Sequence, residues 1–203
     1  MILKPEELSI KDNYKLIIGS VLPRPIALVS TISEDGVLNL APFSFFTRIT
    51  TKPATIGLAP ALKGKEGEKK DTLANVESLK EFVVNIVTES ISDQMVKTAS
   101  EVAPDVDEFK VAGLTPIDSE IVRPPRVKES PINLECKLYK VVYIGDGTAG
   151  SGAFVIGEIV AYHIDDILYN NGRIDTALLK PVARLAGQDY TTLGRCFTIE
   201  RKV

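Results

Sequence analysis

Short β-branched apolar segments, separated by turn residues, restrict the fold of this chain more than any other feature of its sequence. Residues 24–33 (RPIALVSTIS) and 37–46 (VLNLAPFSFF) flank the turn signal EDG at 34–36, and residues 54–59 (ATIGLA) follow as a third strand. Because proline cannot donate to a sheet ladder, Pro42 predicts that the second strand lies at an edge or carries a bulge.

The later part of the chain repeats this pattern. Strands are predicted at residues 82–87, 134–144 and 153–164, with one or two short strands in 179–202 around Gly187 and Gly194. In the second of these, Leu134, Cys136 and Leu138 alternate with Glu135 and Lys137. We therefore expect the three apolar side chains to face the core and the two charged ones to face outward.

Helical patterns are fewer. Asp71 or Thr72 is predicted to cap a helix that ends near residue 81 and buries Leu73, Val76 and Leu79. An amphipathic helix at 88–102 has the apolar stripe Ile91, Met95, Ala99 and Val102, and a short helix at 105–112 closes at Gly113. We expect the charged residues 105–110 to form a solvated face and the proline-rich stretch 116–131 to be a surface loop.

Many short strands and few helices predict a mainly β (α+β) barrel or sandwich, and 203 residues fit one domain over residues 1–203. A doubly wound parallel sheet would need regular strand–helix alternation.

Composition excludes several classes of protein. A net charge of −3 gives no basic footprint for nucleic acid, and no apolar run is long enough for a membrane span. The two cysteines, Cys136 and Cys196, indicate a reduced, cytoplasmic protein. The single histidine, His163, disfavours a zinc site or a Ser-His-Asp triad, and we expect it to be structural or exposed.

The hexapeptide Gly145-Asp146-Gly147-Thr148-Ala149-Gly150 matches the G-x-G-x-x-G pattern. A dinucleotide site also requires a helix after this pattern, whereas a strand follows here. We therefore interpret these residues as a hairpin loop.

A better anion site is predicted between the third strand and the first predicted helix. Its cationic and polar residues are Lys63, Lys65, Lys69, Lys70, Thr72 and Asn75. A helix N-terminus adds unpaired N–H groups and partial positive charge, so this segment could hold a phosphate, although its spacing is not that of a P-loop. From spacing alone, a solvated surface loop beside a capped helix is the alternative.

A second candidate is the strand segment Ala41-Pro42-Phe43-Ser44-Phe45-Phe46. Small residues, aromatic rings and one hydroxyl suit a flat heterocycle that lies on the strand. The alternative is that these aromatic side chains belong to the core.

Four stretches of the chain together resemble one known family. They are PRPIALVST at 23–31, NLAPFSFF at 39–46, KDTLAN at 70–75 and PVARLAGQDY at 181–190. Their order and content are similar to the flavin reductase-like family of FMN-binding split barrels, including flavoredoxins and reductase components of the nitrilotriacetate monooxygenase type. The resemblance implies a Greek-key split β-barrel with a few peripheral helices, and a homodimer with FMN near the subunit interface.

The resemblance also assigns residues to the cofactor. It implies that Ala41, Pro42, Phe43, Ser44 and Phe45 lie against the isoalloxazine ring, with Ser44 near its polar edge. Lys70, Asp71, Thr72 and Asn75 would lie near the phosphate, and Arg184, Gly187 and Tyr190 would close one side of the site.

The implied function is hydride transfer from NAD(P)H to FMN, with no catalytic side chain because the flavin carries the chemistry. One departure affects this expectation: relatives have G-D-H where this chain has Gly145-Asp146-Gly147, and that histidine is linked to nicotinamide binding. A flavoredoxin-like electron carrier that serves a monooxygenase or other redox protein is the first alternative. A non-catalytic ligand-binding barrel is the second.

Overall fold

The computed structural model describes residues 1–62, 67–100 and 102–200, so the predicted Lys63 and Lys65 lie outside the described residues. The strands are β1 (Arg24–Pro25), β2 (Ala27–Ile32), β3 (Leu38–Phe43), β4 (Phe46–Thr51), β5 (Ala54–Leu58), β6 (Glu81–Ile86), β7 (Pro116–Ile117), β8 (Arg126–Val127), β9 (Ile132–Ile144), β10 (Gly152–Ile164), β11 (Tyr169–Asn170), β12 (Arg173–Ile174), β13 (Ala183–Arg184) and β14 (Tyr190–Thr191). The helices are α1 (Ile10–Ser20), α2 (Asp71–Leu79), α3 (Ser92–Lys97), α4 (Glu108–Ala112) and α5 (Thr176–Leu179), with short 3-10 helices at Pro5–Glu7, Glu89–Ile91 and Asp166–Leu168.

A seven-stranded antiparallel sheet in the order β3-β2-β6-β9-β10-β5-β4 forms the body of the molecule. Its longest pair is β9 with β10, each of 13 residues, which run in register from Ile144 opposite Gly152 to Ile132 opposite Ile164 with two bulges between. The glycine-rich segment at 145–150 joins these two strands, as predicted for a hairpin loop. None of the helices in the described ranges is long and apolar enough to cross a membrane.

Strand β2 is buried on both faces, which explains its nearly continuous apolar sequence. Ala27 and Val29 pack into one hydrophobic cluster with strands across the sheet, whereas Leu28 packs into a second cluster with Met95 and Phe109. The helices α3 and α4 therefore cover the face of β2 and β3 that the strands leave open, and this places them beside the candidate site.

Most predicted strands are confirmed, but the second one is wrong at its end. β3 stops at Phe43, and a separate strand, β4, begins at Phe46. Ser44 and Phe45 lie between these strands, where the chain passes from one edge of the sheet to the other. The residues on both sides of this crossing are apolar, so hydrophobicity alone does not locate it. Pro42 lies on β3, which is an edge strand as predicted.

The helix predictions need several corrections. Lys70 rather than Asp71 or Thr72 occupies the N-cap position of α2, and Lys80, with φ of 61°, ends this helix so that β6 begins at Glu81. The predicted helix at 88–102 is shorter, since α3 ends at Lys97. Its predicted Ile91 and Met95 are buried, but Ala99 is exposed.

Helix α1 is absent from the sequence-based prediction. Its Ser9 cap accepts a hydrogen bond from the Asp12 amide, yet within the helix only Ile18 is buried. Because Ile10, Tyr14 and Ile17 remain exposed, the apolar stripe of α1 does not pack into the core of the monomer.

The charged side chains Glu108 and Glu135 are buried, contrary to the predictions for 105–110 and for the alternating strand. Glu108 is 6% exposed, and Glu135 is 0% exposed beneath residues 120–122, whose backbone amides all donate to its carboxylate. Residues 116–131 are thus not simply a surface loop, because they contain β7 and β8 and fold over β9.

The single histidine is structural in this arrangement, since the His163 Nε2 lies 2.5 Å from Glu135 Oε1. Burial by itself would raise the pKa of Glu135, but hydrogen bonds from the Glu120 amide, His163 and two further amides outweigh burial and lower that pKa. Cys136, on the opposite face of β9, is fully buried in the core as predicted, and burial raises the pKa of its thiol.

Gly157 on β10 admits the ring of Phe82 to the centre of the barrel. A Cβ atom at Gly157 would lie 2.3 Å from Phe82 Cζ, and the Phe82 side chain is fully buried. The absence of a side chain here is therefore a packing requirement.

We predict that Gly157→Ala lowers the free energy of unfolding by about 1–3 kcal/mol, because the Phe82 ring must move within a close-packed core. Urea unfolding followed by circular dichroism measures this change. Gly194→Ala is the matched control, since a Cβ atom at Gly194 meets nothing within 4 Å. Equal stability of the two variants would contradict this account of the barrel interior.

Candidate functional site

Two adjoining cavities lie at the end of β3. The first has a volume of about 110 Å³ and is lined by Asn39, Ala41, Pro42, Phe43, Lys70, Asp71, Thr72, Thr98, Ala99, Ser100, Val102 and Glu108. The second has a volume of about 170 Å³ and is lined by Tyr14, Ile18, Arg24, Ile26, Pro42, Ser44, Met95, Ala99, Arg184, Gly187 and Tyr190. Pro42 and Ala99 line both cavities, so the two form neighbouring parts of one cleft.

The cleft brings together most of the residues singled out in the sequence. The first cavity contains Ala41, Phe43, Lys70, Asp71 and Thr72, and the second contains Ser44, Arg184, Gly187 and Tyr190. Phe45 lies next to the second cavity, with its ring centroid 5.6 Å from the Arg24 guanidinium carbon.

Two predicted residues lie elsewhere. Asn75 lines neither cavity and donates from Nδ2 to Thr31 Oγ1 at 3.1 Å. Lys69 forms an ion pair with Glu77 at 2.5 Å, next to the Tyr143 ring. Its hydrogen bonds with Glu77 and Tyr143 raise the pKa of Lys69 above its ordinary value.

Among its described lining residues, the first cavity has one cationic group, Lys70, at the start of α2. The first main-chain bond of this helix runs from the Ala74 amide to the Lys70 carbonyl, so the preceding amides of the first turn lie outside the intrahelical pattern. The Lys70 ammonium lies 5.9 Å from the Phe43 ring centroid, above the apolar strand. This end of the cleft therefore suits an anion.

A buried polar network forms the wall of the first cavity, and the sequence-based analysis missed its centre. Asn39 Oδ1 accepts hydrogen bonds from Thr72 Oγ1 at 2.8 Å and from Thr31 Oγ1 at 3.1 Å. Asn39 Nδ2 donates to Glu108 Oε1 at 2.9 Å, and the Leu40 amide donates to Glu108 Oε2 at 3.0 Å. Asn39 could have been selected, because it begins the stretch NLAPFSFF.

No sequence feature marked Glu108 as a site residue. It lies in a run of charged residues, and such runs are usually exposed to solvent. Burial raises the pKa of Glu108, and the nearby Asp71 adds to this effect, while hydrogen bonds from the Leu40 amide and Asn39 act in the opposite direction. The resulting pKa lies above the ordinary glutamate value, so this carboxyl accepts a proton more readily than an exposed one.

The second cavity is positively charged. Arg24 is 5% exposed and donates to the carbonyl oxygens of Ile18, Val21 and Leu185, at 2.8, 2.9 and 2.7 Å. Its Nε lies 3.5 Å from Ser44 Oγ. Burial lowers the pKa of Arg24, Tyr14 opposes this change, and Arg184 lowers the pKa further.

Arg184 forms the other wall of the second cavity. Its guanidinium stacks 4.4 Å from the Tyr190 ring centroid and donates to the Tyr190 hydroxyl and the Gly187 carbonyl. Neither Arg24 nor Arg184 pairs with a carboxylate among the described residues, and no acidic residue lines this cavity. The two guanidinium groups therefore give the cavity beside Ser44 a positive potential.

Across residues 1–62, 67–100 and 102–200, no three His, Cys, Asp or Glu side chains cluster in a way that could hold a metal ion.

Known proteins resemble this chain over most of its length. A family model described as "Flavin reductase like domain" matches residues 18–178. The crystal structure of nitrilotriacetate monooxygenase component B from Bacillus cereus is 40% identical, with a TM-score of 0.94 over 98% of each chain.

Two further solved structures are similar over the whole of this chain. A 2-nitrobenzoate 2-nitroreductase from Pseudomonas fluorescens is 31% identical with a TM-score of 0.89, covering 100% of this chain and 96% of that one. A split-barrel protein of the flavin reductase type from Shewanella frigidimarina is 24% identical with a TM-score of 0.83, covering 100% of both chains, and it supports the fold alone. The predicted mainly β split barrel is confirmed.

We predict that Asn39→Ala lowers the free energy of unfolding by about 1–3 kcal/mol, because it leaves Glu108 Oε1 and the hydroxyl protons of Thr72 and Thr31 without their buried partner. Urea unfolding at neutral pH measures the change. The control is Asn170→Ala, which alters an exposed residue of β11. An Asn39→Ala protein as stable as this control would show that the network does not stabilise the cavity wall.

Proposed function

The chain belongs to the flavin reductase-like family, and from this premise we propose that it is an FMN-binding oxidoreductase whose cofactor spans the two joined cavities. The observation that carries the proposal is the division of the cleft into two parts. Lys70 and the first turn of α2 suit a phosphate, whereas Ala41, Pro42 and Phe43 suit a flat ring.

The residues present fit the cofactor at both ends. Lys70 and the amides of the first turn of α2 would hold the phosphate, and Thr72 adjoins them. The polar edge of the ring would face Ser44, Arg24 and Arg184. Tyr190 would close the side of the site together with Arg184.

Bound FMN would supply the hydride- and electron-transfer chemistry. The chain itself would fix the ring on β3, exclude water with the aromatic side chains, and place positive charge at the polar edge. Because Arg24 and Arg184 have no carboxylate partner among the described residues, their charge favours a negatively charged ligand in this cavity. This role requires no nucleophile and no general base.

We propose NAD(P)H as the hydride donor. The alternative, a flavoredoxin-like carrier that exchanges electrons with a protein partner, is supported by the loop at 145–150. This loop has no imidazole, and it lines neither cavity. A non-catalytic barrel for another ligand is the remaining alternative.

Two of the similar proteins suggest electron acceptors. One is a component of a monooxygenase and the other reduces a nitroaromatic compound. We propose that this chain passes electrons to a monooxygenase or another redox protein in the cytoplasm. The free thiols Cys136 and Cys196 agree with a reducing compartment.

We also propose that the protein is a homodimer. Ile10, Tyr14 and Ile17 on α1 are 61%, 54% and 53% exposed, which is unusual for an apolar helix stripe in a monomer. Tyr14 also lines the second cavity, so a second copy that covers α1 would complete the wall of the site.

We predict that the purified protein takes up FMN with a visible flavin spectrum, and that Lys70→Ala weakens FMN binding about 10- to 100-fold by removing a charged phosphate partner. Fluorescence titration at low and moderate salt measures the affinity. Lys128→Ala, at an exposed position, removes the same charge elsewhere and should leave the affinity unchanged. A protein that takes up no FMN on reconstitution would favour the non-catalytic barrel.

We predict that NADH or NADPH bleaches the flavin absorbance of the loaded protein within seconds under anaerobic conditions. Stopped-flow absorbance measures the rate for each nucleotide separately. Chemical reduction by dithionite is the control that shows the flavin is accessible. If dithionite bleaches the flavin while both nucleotides leave it oxidised, the electron carrier is the correct function.

A further inference from the structure

The hydrogen bonds around Glu108 have a defined order of donors and acceptors. A carboxylate can only accept hydrogen bonds, so Glu108 requires Asn39 to turn its Nδ2 toward Oε1, at 2.9 Å. Asn39 Oδ1 must then face Thr72 and Thr31, and both hydroxyls must donate to it, at 2.8 and 3.1 Å. Thr31 in turn accepts from Asn75 Nδ2.

This direction of the hydrogen bonds works against the anion that Lys70 and the first turn of α2 would attract into the first cavity. Because the Thr72 proton points at Asn39, the hydroxyl presents lone pairs to the cavity that it lines. A phosphate oxygen is also an acceptor, so the two would repel. When the carboxyl of Glu108 is ionised, it adds a second repulsion, because it lines the same cavity.

One proton on Glu108 reverses the network while Glu108, Asn39 and Thr31 all keep hydrogen-bond partners. Oε1–H donates to Asn39 Oδ1 once this amide has turned over, and Oε2 still accepts from the Leu40 amide. Asn39 Nδ2 then donates to Thr72 and Thr31. The Thr31 proton goes to Oδ1 of a turned Asn75. The Thr72 proton is released toward the cavity.

We propose that Glu108 is a proton-linked positioning residue, which takes up a proton when a phosphate-bearing ligand enters and thereby turns Thr72 into a hydrogen-bond donor to that phosphate. The inference rests on the proposed FMN function and names a property of the same site. Glu108 is 6% exposed, so water cannot easily supply the missing hydrogen bonds.

The surrounding charges agree with this role. Burial raises the pKa of Glu108, and Asp71 at the start of α2 raises it further, whereas Lys70 lines the same cavity with the opposite charge. On its own helix, Asp107 and Lys110 pair with each other at 3.3 Å. Helix α3, which packs against α4, carries Asp93 in its first turn and Lys97 in its last. An incoming phosphate adds negative charge next to Glu108 and favours proton uptake.

The test is isothermal titration of the full chain with FMN between pH 6 and pH 9, in pairs of buffers with different heats of ionisation. Wild-type protein should take up as much as one proton on binding, and its dissociation constant should rise by up to about tenfold for each pH unit above the Glu108 pKa.

Glu108→Gln is the decisive variant. The glutamine amide donates to Asn39 Oδ1 and its carbonyl accepts from the Leu40 amide, which reproduces the protonated arrangement permanently. This variant should bind FMN more tightly than wild type at high pH and should lose the proton uptake assigned to Glu108. The phosphate has its own pKa near 6, but its titration is common to both proteins and cancels in the comparison.

Two controls complete the design. Glu120→Gln changes an exposed carboxyl and should behave as wild type. Riboflavin, which has the same ring without the phosphate, should bind wild-type protein with little pH dependence.

The same proton uptake in wild type and Glu108→Gln, or the same pH dependence for riboflavin and FMN, would overturn the inference. If wild-type protein bound FMN at no pH, the proposed function itself would fail, and the two failures are therefore distinguishable. Should the Glu108→Gln protein not fold, the comparison of riboflavin with FMN on wild type decides the question between about pH 7.5 and pH 9, where the phosphate is already ionised.

Discussion

The pairing of β9 with β10 is the interaction on which the rest of the structure depends. It joins β3, β2 and β6 on one side of the sheet to β5 and β4 on the other. The two bulges in this pair bend the ladder, and Gly157 lets the Phe82 ring fill the space inside the bend. The edge strands β3 and β4 follow each other directly in the chain, and Ser44 and Phe45 of the cleft lie at the crossing between them.

The sequence predicted those parts of the fold that depend on local patterns. Residues 82–87 and 153–164 are strands because β-branched residues fit a buried pleated surface, and Gly113 ends α4 in the left-handed conformation that a helix C-terminus uses. The end of β3, the burial of Glu108 and the presence of α1 were not predictable in this way. Each depends on which distant segment packs against the residue, and apolar spacing does not contain that information.

The candidate site shows the same division. The family resemblance brought the stretches NLAPFSFF and KDTLAN together, and Ala41, Phe43, Lys70 and Thr72 do line one cavity, whereas Asn75 does not. The wall of the first cavity was missed, since Asn39 acts through Glu108, which comes 69 residues later in the chain. The second cavity owes its charge to Arg184, which the resemblance had assigned to the site, and to Arg24, whose role follows from its three carbonyl contacts and not from any motif.

Those three contacts have a consequence for how the family can diversify. Arg24 ties the end of α1 and the β13–β14 hairpin to the barrel, yet the family match stops at residue 178, before Arg184 and Tyr190. The wall of the second cavity is therefore built on a hairpin beyond residue 178, which is held to the barrel by the Arg24 guanidinium, by the pairing of β1 with β13, and by the main-chain bond from the Val182 amide to the Val87 carbonyl. Changes in the loop of that short hairpin, between β13 and β14, would alter the shape of the cavity beside Ser44 while leaving the strand order of the seven-stranded sheet intact.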